Sequence, residues 1–390
     1  MISKILVWII ANSYFRKITK FDNFAIKNDN CAKIFALSHR NGAVDGWVYS
    51  YIFKNAVFTL AKSLQRNFFL KILFPGIAIF REKDKPKTYK QKNIQAFKNM
   101  LNTLNHTPLC IFPEGTSSLG LSHLPFEKGI STLSATFVKQ NKKSLAITPF
   151  AIFYDDPTCM GGKVFIKQGE QIISNSLNSD EIHANLTKNF EKILTEYKNE
   201  EDMQNAHKIA VLATLFDENK NYTEILLNLQ NSQKQNLEQN LQIYENETKG
   251  KNLLLYKKIA IYPKNILVSF WTLFITSLIV LPTLFINFIP ILCGFFAGKK
   301  SKETHTISLY KILAGYGVGA VFYAILVVLG MVFGGAKGVL GVIFALIFSL
   351  WGLRLYGAFK KHLIAILNFI KFPQGMAKFL RLENEINANL

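Results

Sequence analysis

Three short segments carry residue types that can do chemistry, and each follows a run that reads as a β-strand. The first, Ser38-His39-Arg40-Asn41-Gly42-Ala43-Val44-Asp45, sets an imidazole just past a strand end and a carboxylate at a helix start. An imidazole that takes a proton from a hydroxyl needs a carboxylate to hold its tautomer and to favour its protonated form. Six positions along a continuous helix would set His39 and Asp45 about 240° apart, so the chain between them must turn, and Gly42 supplies the freedom. Asp45 is also a candidate N-cap for the helix that follows.

The second segment, Pro75-Gly76-Ile77-Ala78-Ile79-Phe80-Arg81, ends a buried strand in a forked, permanently charged donor suited to phosphate. Lys83, Lys85, Lys87, Lys90 and Lys92 come next, either as a solvated basic face or as a hold on anionic substrate or lipid headgroups. The third is Ile111-Phe112-Pro113-Glu114-Gly115-Thr116-Ser117-Ser118. Glycine with adjacent hydroxyls and backbone N–H groups can bind oxygen-rich ligands, and Glu114 can accept hydrogen bonds from Arg81 or a substrate hydroxyl. A further strand, 147–151, contains Pro149, and proline inside a strand argues for an edge or a bulge. Cys110, inside a strand, reads as a small core residue and not as a nucleophile.

The elements that must position these residues alternate in type. Segments 33–37, 76–80, 108–112, 146–154 and 163–167 are rich in Ile, Phe and Val, are bounded by Asn, Gly and Pro, and read as strands. Segments 45–64 and 88–104 have helical spacing, so the order is β-α-β-α-β, an α/β fold with a mostly parallel sheet and covering helices. Beyond 167 the pattern turns helical. Ile182, Leu186 and Phe190 share a face after a Ser179-Asp180 start, and a later polar helix has Leu237, Leu241 and Tyr244 as its stripe.

Composition then separates the chain into regions. Of 390 residues, 46 are Lys or Arg and 26 Asp or Glu, a formal charge of +20 on a chain that is 49% hydrophobic with 33 Phe. That much apolar residue excludes disorder, and basic and apolar character together point to a membrane and away from nucleic acid. No charged residue occurs in 265–298, 312–336 or 338–353, windows that meet or approach the length for membrane insertion. Basic flanks at Lys257, Lys258 and Lys264, at Lys299, Lys300 and Lys302, and at Arg354, Lys360 and Lys361 all face the cytosol if the positive-inside rule holds. This predicts two hairpins, with breaks at Pro282 and Pro290 in the first and a turn near Gly334–Gly338 in the second. Full spanning and re-entrant insertion both remain open. Gly315/Gly319 and Gly330/Gly334 would allow close helix approach. At the N-terminus an apolar run resembles a signal-peptide core but lacks a small-residue cleavage pattern, and the basic residues after it favour an uncleaved surface helix. The expected organisation is a surface helix at 1–22, an α/β catalytic domain at 23–176, a helical extension at 177–262, membrane hairpins at 263–356 and a basic tail at 357–390. The four scattered cysteines and the absence of HExxH or CxxC spacing imply no disulfide framework and no metal site.

In order, the segments resemble the four blocks of the glycerolipid acyltransferase superfamily, which includes the glycerol-3-phosphate and lysophosphatidic acid acyltransferases. The resemblance covers about residues 30–170, with Phe112–Ser117 its most specific part. It implies direct acyl transfer from acyl-CoA or acyl-carrier protein as co-substrate, with no bound cofactor, to the hydroxyl of glycerol 3-phosphate, dihydroxyacetone phosphate or a lysophospholipid. It also implies His39 as general base, Asp45 as its orienting partner, Arg81 as a phosphate ligand, and Glu114, Gly115, Thr116 and Ser117 in the acceptor site with Pro149 shaping the pocket. Five residues separate His39 from Asp45, where most members have four. That spacing, with hydrophobic segments after the catalytic domain, is similar to the branch of the yeast microsomal glycerol-3-phosphate/dihydroxyacetone-phosphate acyltransferases. A non-catalytic, membrane-anchored lipid-binding protein is the alternative of another class.

Overall fold

The computed structural model describes residues 2–20, 31–81, 89–231 and 234–390; Lys83, Lys85 and Lys87 of the basic run lie outside them. By contact density the chain forms two units. The first comprises 1–11, 19–153 and 165–195, and the second 12–18, 154–164 and 196–390.

Helix α1 (Ile2–Ser13) leads into β1 (Lys17–Lys20). It buries Val7, Ile10 and Ala11 and exposes Ile5 and Trp8. Strand β2 (Ala32–Leu37), helix α2 (Ala43–Ile52), strand β3 (Val57–Ala61), helix α3 (Phe68–Leu73), strand β4 (Ile77–Ile79), helix α4 (Tyr89–Leu104) and strand β5 (Leu109–Ile111) follow. Next come α5 (Gly129–Asn141), β6 (Leu145–Tyr154), β7 (Lys163–Gln168), β8 (Ile172–Ser174) and α6 (Ser179–Glu191). The sheet order is β1-β7-β6-β2-β5-β3-β4, with β8 also on β6. Strands β6, β2, β5, β3 and β4 pair in parallel. This is the α/β fold with flanking helices that the alternation predicts, and parallel pairing puts the loops after β2, β4 and β5 on one edge.

Two expectations about the sheet are corrected. The helix predicted over 45–64 ends at Ile52, and Val57–Ala61 is a strand lying between β5 and β4. The Phe53 N–H closes α2 on Tyr49 O, a short turn follows, and the β-branched and aromatic run Val57-Phe58-Thr59 fits the pleated interior better than a further helical turn. Pro149, expected at an edge or a bulge, lies in central strand β6 opposite Ala36. The sheet tolerates it because Phe150 O faces β2, accepting Ser38 N–H, so Pro149 faces the other side. There β8 pairs with 145–147, β7 ends at Gln168, and Pro149 O accepts Gly169 N–H between the two partners. The missing proline N–H falls where that ladder is interrupted.

In the second unit, α7 (Glu200–Phe216), α8 (Tyr222–Asn231), α9 (Lys234–Thr248), the short strands β9 (Leu255–Tyr256) and β10 (Ile259–Ala260), and a helix at the C-terminus form a soluble-type core in which the Phe379 ring meets Phe216, Tyr244 and Tyr262. Leu237, Leu241 and Tyr244 are buried, as the stripe on α9 requires. The apolar helices are α10 (Ile266–Ile286), α11 (Phe288–Lys299) and α12 (Ile307–Lys371), followed by α13 (Gly375–Asn389). Helices α10 and α12 are long and apolar enough to cross a membrane. Gly335 (φ 54°, ψ −141°) breaks α12 into limbs 307–334 and 336–371, the expected second turn. The first hairpin does not form. Asn287 N–H reaches Thr283 O and Ile291 N–H reaches Asn287 O, so α10 and α11 make one bent rod, and each packs on α12 far more than on the other. Of the expected close-approach glycines, Gly315 and Gly319 face Pro290, Gly330 faces Gly338, and Gly334 meets open space.

Candidate active site

The register of β2 on β5 builds the site. Ala36 pairs with Ile111, so His39 and Glu114 each stand three residues past that pair on neighbouring strands. Gly42 takes φ 56°, ψ −148°, a conformation open to glycine, and turns the chain so that helix α2 starts at Ala43. Asp45 therefore occupies the third position of the helix and not the N-cap, which corrects the capping expectation; Gly42 is the cap.

From that position the fully buried Asp45 carboxylate reaches back. Its Oδ2 accepts the backbone N–H groups of Arg40 at 2.6 Å and Asn41 at 2.7 Å and lies 2.9 Å from His39 Nδ1. Two fixed backbone donors orient the carboxylate, and its third contact holds the proton on Nδ1, which leaves the Nε2 lone pair as the basic position of the imidazole. The Phe112 ring covers His39 at 4.4 Å between centroids. Below it, burial and then the Asp45 carboxylate push the Tyr49 phenol well above its usual range, and Tyr49 donates to Phe150 O as a neutral group.

Glu114 is equally buried. Its Oε1 accepts the His39 N–H at 2.8 Å, and His123 Nδ1 lies 3.6 Å from the same oxygen. Glu114 Oε2 and His123 Nδ1 are buried and find no hydrogen-bond partner among the described residues. Sequence reasoning missed His123, which sits in a loop with no periodicity and comes to Glu114 through clamps that no local pattern announces. Ser118 N–H donates to His39 O, and Arg40 donates to Gly120 O at 2.9 Å and to Ser122 O at 3.5 Å. Gly115 (φ 64°) is exposed at the turn, its N–H directed to Phe112 O, while Thr116 N–H goes to Glu114 O and Ser117 is half-buried beside them.

Arg81 stands just past β4, where Nη2 donates to Ser63 Oγ at 3.2 Å, and Lys92 lies over the Phe80 ring beside it. Strand β4 is the third strand from β2, roughly 14 Å away at the usual strand spacing. Arg81 thus shares the sheet edge with His39 without joining the His39–Asp45–Glu114 cluster. Pro149 lies below, level with Ala36. Burial pushes the Cys110 thiol well up, which suits a core residue.

Residues 23–152 match the family model described as Acyltransferase. That segment holds the whole cluster, and long apolar helices follow it in the chain. Among solved structures the chain is similar to the 1-acyl-sn-glycerophosphate (LPA) acyltransferase of Thermotoga maritima, at 16% identity over 48% of this chain and 73% of that one, with a TM-score of 0.35. A comparison with curated proteins finds no match.

Proposed function

We propose that the chain transfers an acyl group from an acyl thioester, on CoA or a carrier protein, to a hydroxyl of a phosphate-bearing glycerol backbone. The observation that carries this reading is the His39–Asp45 contact of 2.9 Å within a carboxylate cradle of backbone donors. A thioester is already activated, so the protein has to bring hydroxyl and carbonyl together, remove one proton and stabilise an oxyanion. His39 Nε2 takes the hydroxyl proton as the oxygen attacks the thioester carbonyl. Collapse of the tetrahedral species expels the thiolate, and His39 returns the proton to it. Asp45 stabilises the imidazolium in between. The unsatisfied Glu114 Oε2 accepts from a second polar group of the acceptor, with Gly115, Thr116 and Ser117 beside it, and Arg81 takes the phosphate. Pro149 shapes the floor.

Between acceptors, the case for glycerol 3-phosphate or dihydroxyacetone phosphate rests on the five-residue spacing and on the hydrophobic segments after the catalytic domain. The turn at Gly42 closes the His39–Asp45 contact across that spacing, so the pair can act at this spacing on either kind of acceptor. Lysophosphatidate or another lysophospholipid, an acceptor that already resides in the bilayer with the apolar helices, is put first, and the catalytic unit is assigned to the cytoplasmic face. Purified protein incubated with acyl-CoA and with acyl-carrier protein against lysophosphatidate, other lysophospholipids, glycerol 3-phosphate and dihydroxyacetone phosphate, with products identified by mass, tests the reading. Acylated lysophospholipid is expected. Turnover of glycerol 3-phosphate alone would reverse the order of acceptors, and no thiol release with any pair would remove the enzyme reading.

A further inference from the structure

The second unit gathers cations that the proposed acyl transfer does not use, and backbone contacts bring them together from separate stretches of sequence. Arg16 N–H donates to Gly162 O at 2.9 Å, and Gly161 N–H donates to Tyr14 O at 2.8 Å. Gly161 lies so close to α12 that a Cβ there would come 2.9 Å from Gly357 Cα. Lys163 adjoins the first contact, and Lys361 stands one helical turn beyond the second. Asp155 secures the loop, accepting Lys163 N–H at 2.7 Å through Oδ1 and pairing with the Lys257 ammonium through Oδ2.

The charges do not balance. Those bearing on Lys163 and Lys361 come from Arg16, Lys257 and Glu218, with Asp155 acting on Lys163 and Lys163 on Lys361. Four cations therefore face two carboxylates. Lys257 takes up Asp155, while Glu218 approaches Arg16 only to 4.0 Å and is 71% exposed. The adjacent Asp156 is turned to the Thr158 N–H and hydroxyl. Burial, and then the Arg16 guanidinium, push the Lys163 ammonium below its usual range, against the pull of the Asp155 carboxylate.

The place of the cluster along α12 indicates what supplies the anion. The charge-free run of the second limb ends at 353, so Lys361 stands about 12 Å further along the helix axis. On the first limb Lys311 is the last charge before the apolar run, and its ammonium donates to Thr158 O in the same loop. The loop thus sits where both limbs leave apolar sequence, the level at which a bilayer presents its headgroups.

We propose that Arg16, Lys163 and Lys361 form a binding site for a phosphomonoester, borne by a lipid headgroup or free in solution. Its two negative charges match the two uncompensated positive ones, and the guanidinium fork with two ammonium groups suits its oxygens. The site stands independently of the acyltransferase reading.

Full-length protein in uncharged detergent, titrated with long-chain phosphatidate or phosphatidylcholine and read by native mass spectrometry, tests it. Wild type should retain one phosphatidate at a concentration at least tenfold lower than phosphatidylcholine. The double variant K163Q/K361Q should lose that preference by tenfold or more, K163R/K361R should keep it, and K299Q/K300Q, with the same loss of charge elsewhere on the unit, should leave it intact. Phosphatidate that resists millimolar inorganic phosphate assigns the site to the lipid headgroup, and displacement assigns it to free phosphate; either result supports the site. Equal binding of the two lipids by wild type, a comparison that needs no variant to fold, overturns it. So do equal losses in K163Q/K361Q and K299Q/K300Q.

Discussion

Glu114 Oε1 accepts the backbone N–H of His39 at 2.8 Å, so the carboxylate of one strand-end segment holds the main chain of the other. His39 is then fixed on four sides: Glu114 at its backbone N–H, Ser118 N–H at its backbone carbonyl, Asp45 at the ring Nδ1 and the Phe112 ring on the imidazole face. The groups conventionally divided between base and acceptor site form one connected structure, and their variants should separate into distinct behaviours.

Removing the base should abolish transfer without unfolding the chain. His39→Ala loses a group whose proton transfer is worth about 10²–10⁴ in rate. Asp45→Asn keeps an oxygen for the Arg40 and Asn41 N–H groups but no longer stabilises the imidazolium, so it should lower turnover by a comparable factor with a small change in melting temperature. Thiol release and thermal unfolding in detergent measure the two effects. Near-normal turnover in His39→Ala would sink the mechanism.

Glu114 should split stability from activity. Glu114→Ala leaves the buried His39 N–H without an acceptor, a cost of about 1–3 kcal/mol. Glu114→Gln retains an acceptor for that N–H while losing the charge near His123. The glutamine variant should therefore melt close to wild type and well above the alanine variant, with both reduced in turnover. Equal melting temperatures for the two variants would mean that the His39 contact contributes nothing to stability.

How much of this could be read in advance depends on which residues carry local signals. The strand ends before His39, Arg81 and Phe112 were legible because apolar β-branched runs stop at Gly, Asn and Pro, and parallel pairing then places the loops on one edge. Strand β3 was not, because Val57–Ala61 follows a helix after a four-residue link and its spacing also fits a continuing helical face. His123 was not, because its approach to Glu114 is made by Arg40 across a long loop. The site of Pro149 depended on where β7 ends and β8 begins, which is a tertiary fact. In the apolar region charge-free length was plain, but whether Asn287 bends a rod or turns a hairpin depends on packing against α12.

In the apolar bundle, packing should outweigh polar contact. Asn287 Nδ2 donates to Ser349 Oγ at 2.8 Å, and Tyr323 OH donates to Ser349 Oγ at 2.8 Å and to Asn287 Oδ1 at 3.2 Å. Hydrogen bonds between membrane helices average about 0.6 kcal/mol, so Asn287→Leu should cost about 0.5–2 kcal/mol. A side chain at Gly352 would overlap Thr283 and force the rods apart. Gly352→Leu should accordingly destabilise more than Asn287→Leu in detergent unfolding, and the reverse order would show that the polar network holds the bundle.

The Lys257–Asp155 pair should matter most when broken from one side. Both side chains are nearly buried, at 10% and 4% exposure, and Asp155 also accepts Lys163 N–H. Burial, the largest influence, works against the Lys257 ammonium, yet the Asp155 carboxylate together with Tyr256 and Asp156 holds its pKa above the usual lysine value. A raised pKa contributes stability that is complete below the unfolded-state value and is lost as pH climbs through the folded one, so the pair is at full strength at pH 7 and weakens only in strong alkali. Lys257→Met removes the cation and leaves a buried carboxylate, a loss of about 3–5 kcal/mol. Lys257→Met with Asp155→Asn removes the stranded charge, while the Asn oxygen can still accept Lys163 N–H, so the double variant should be more stable than the single one. Thermal unfolding of the three proteins at pH 7 checks this order, and a double variant less stable than Lys257→Met would mean that Asp155 works through Lys163 N–H rather than through the ion pair.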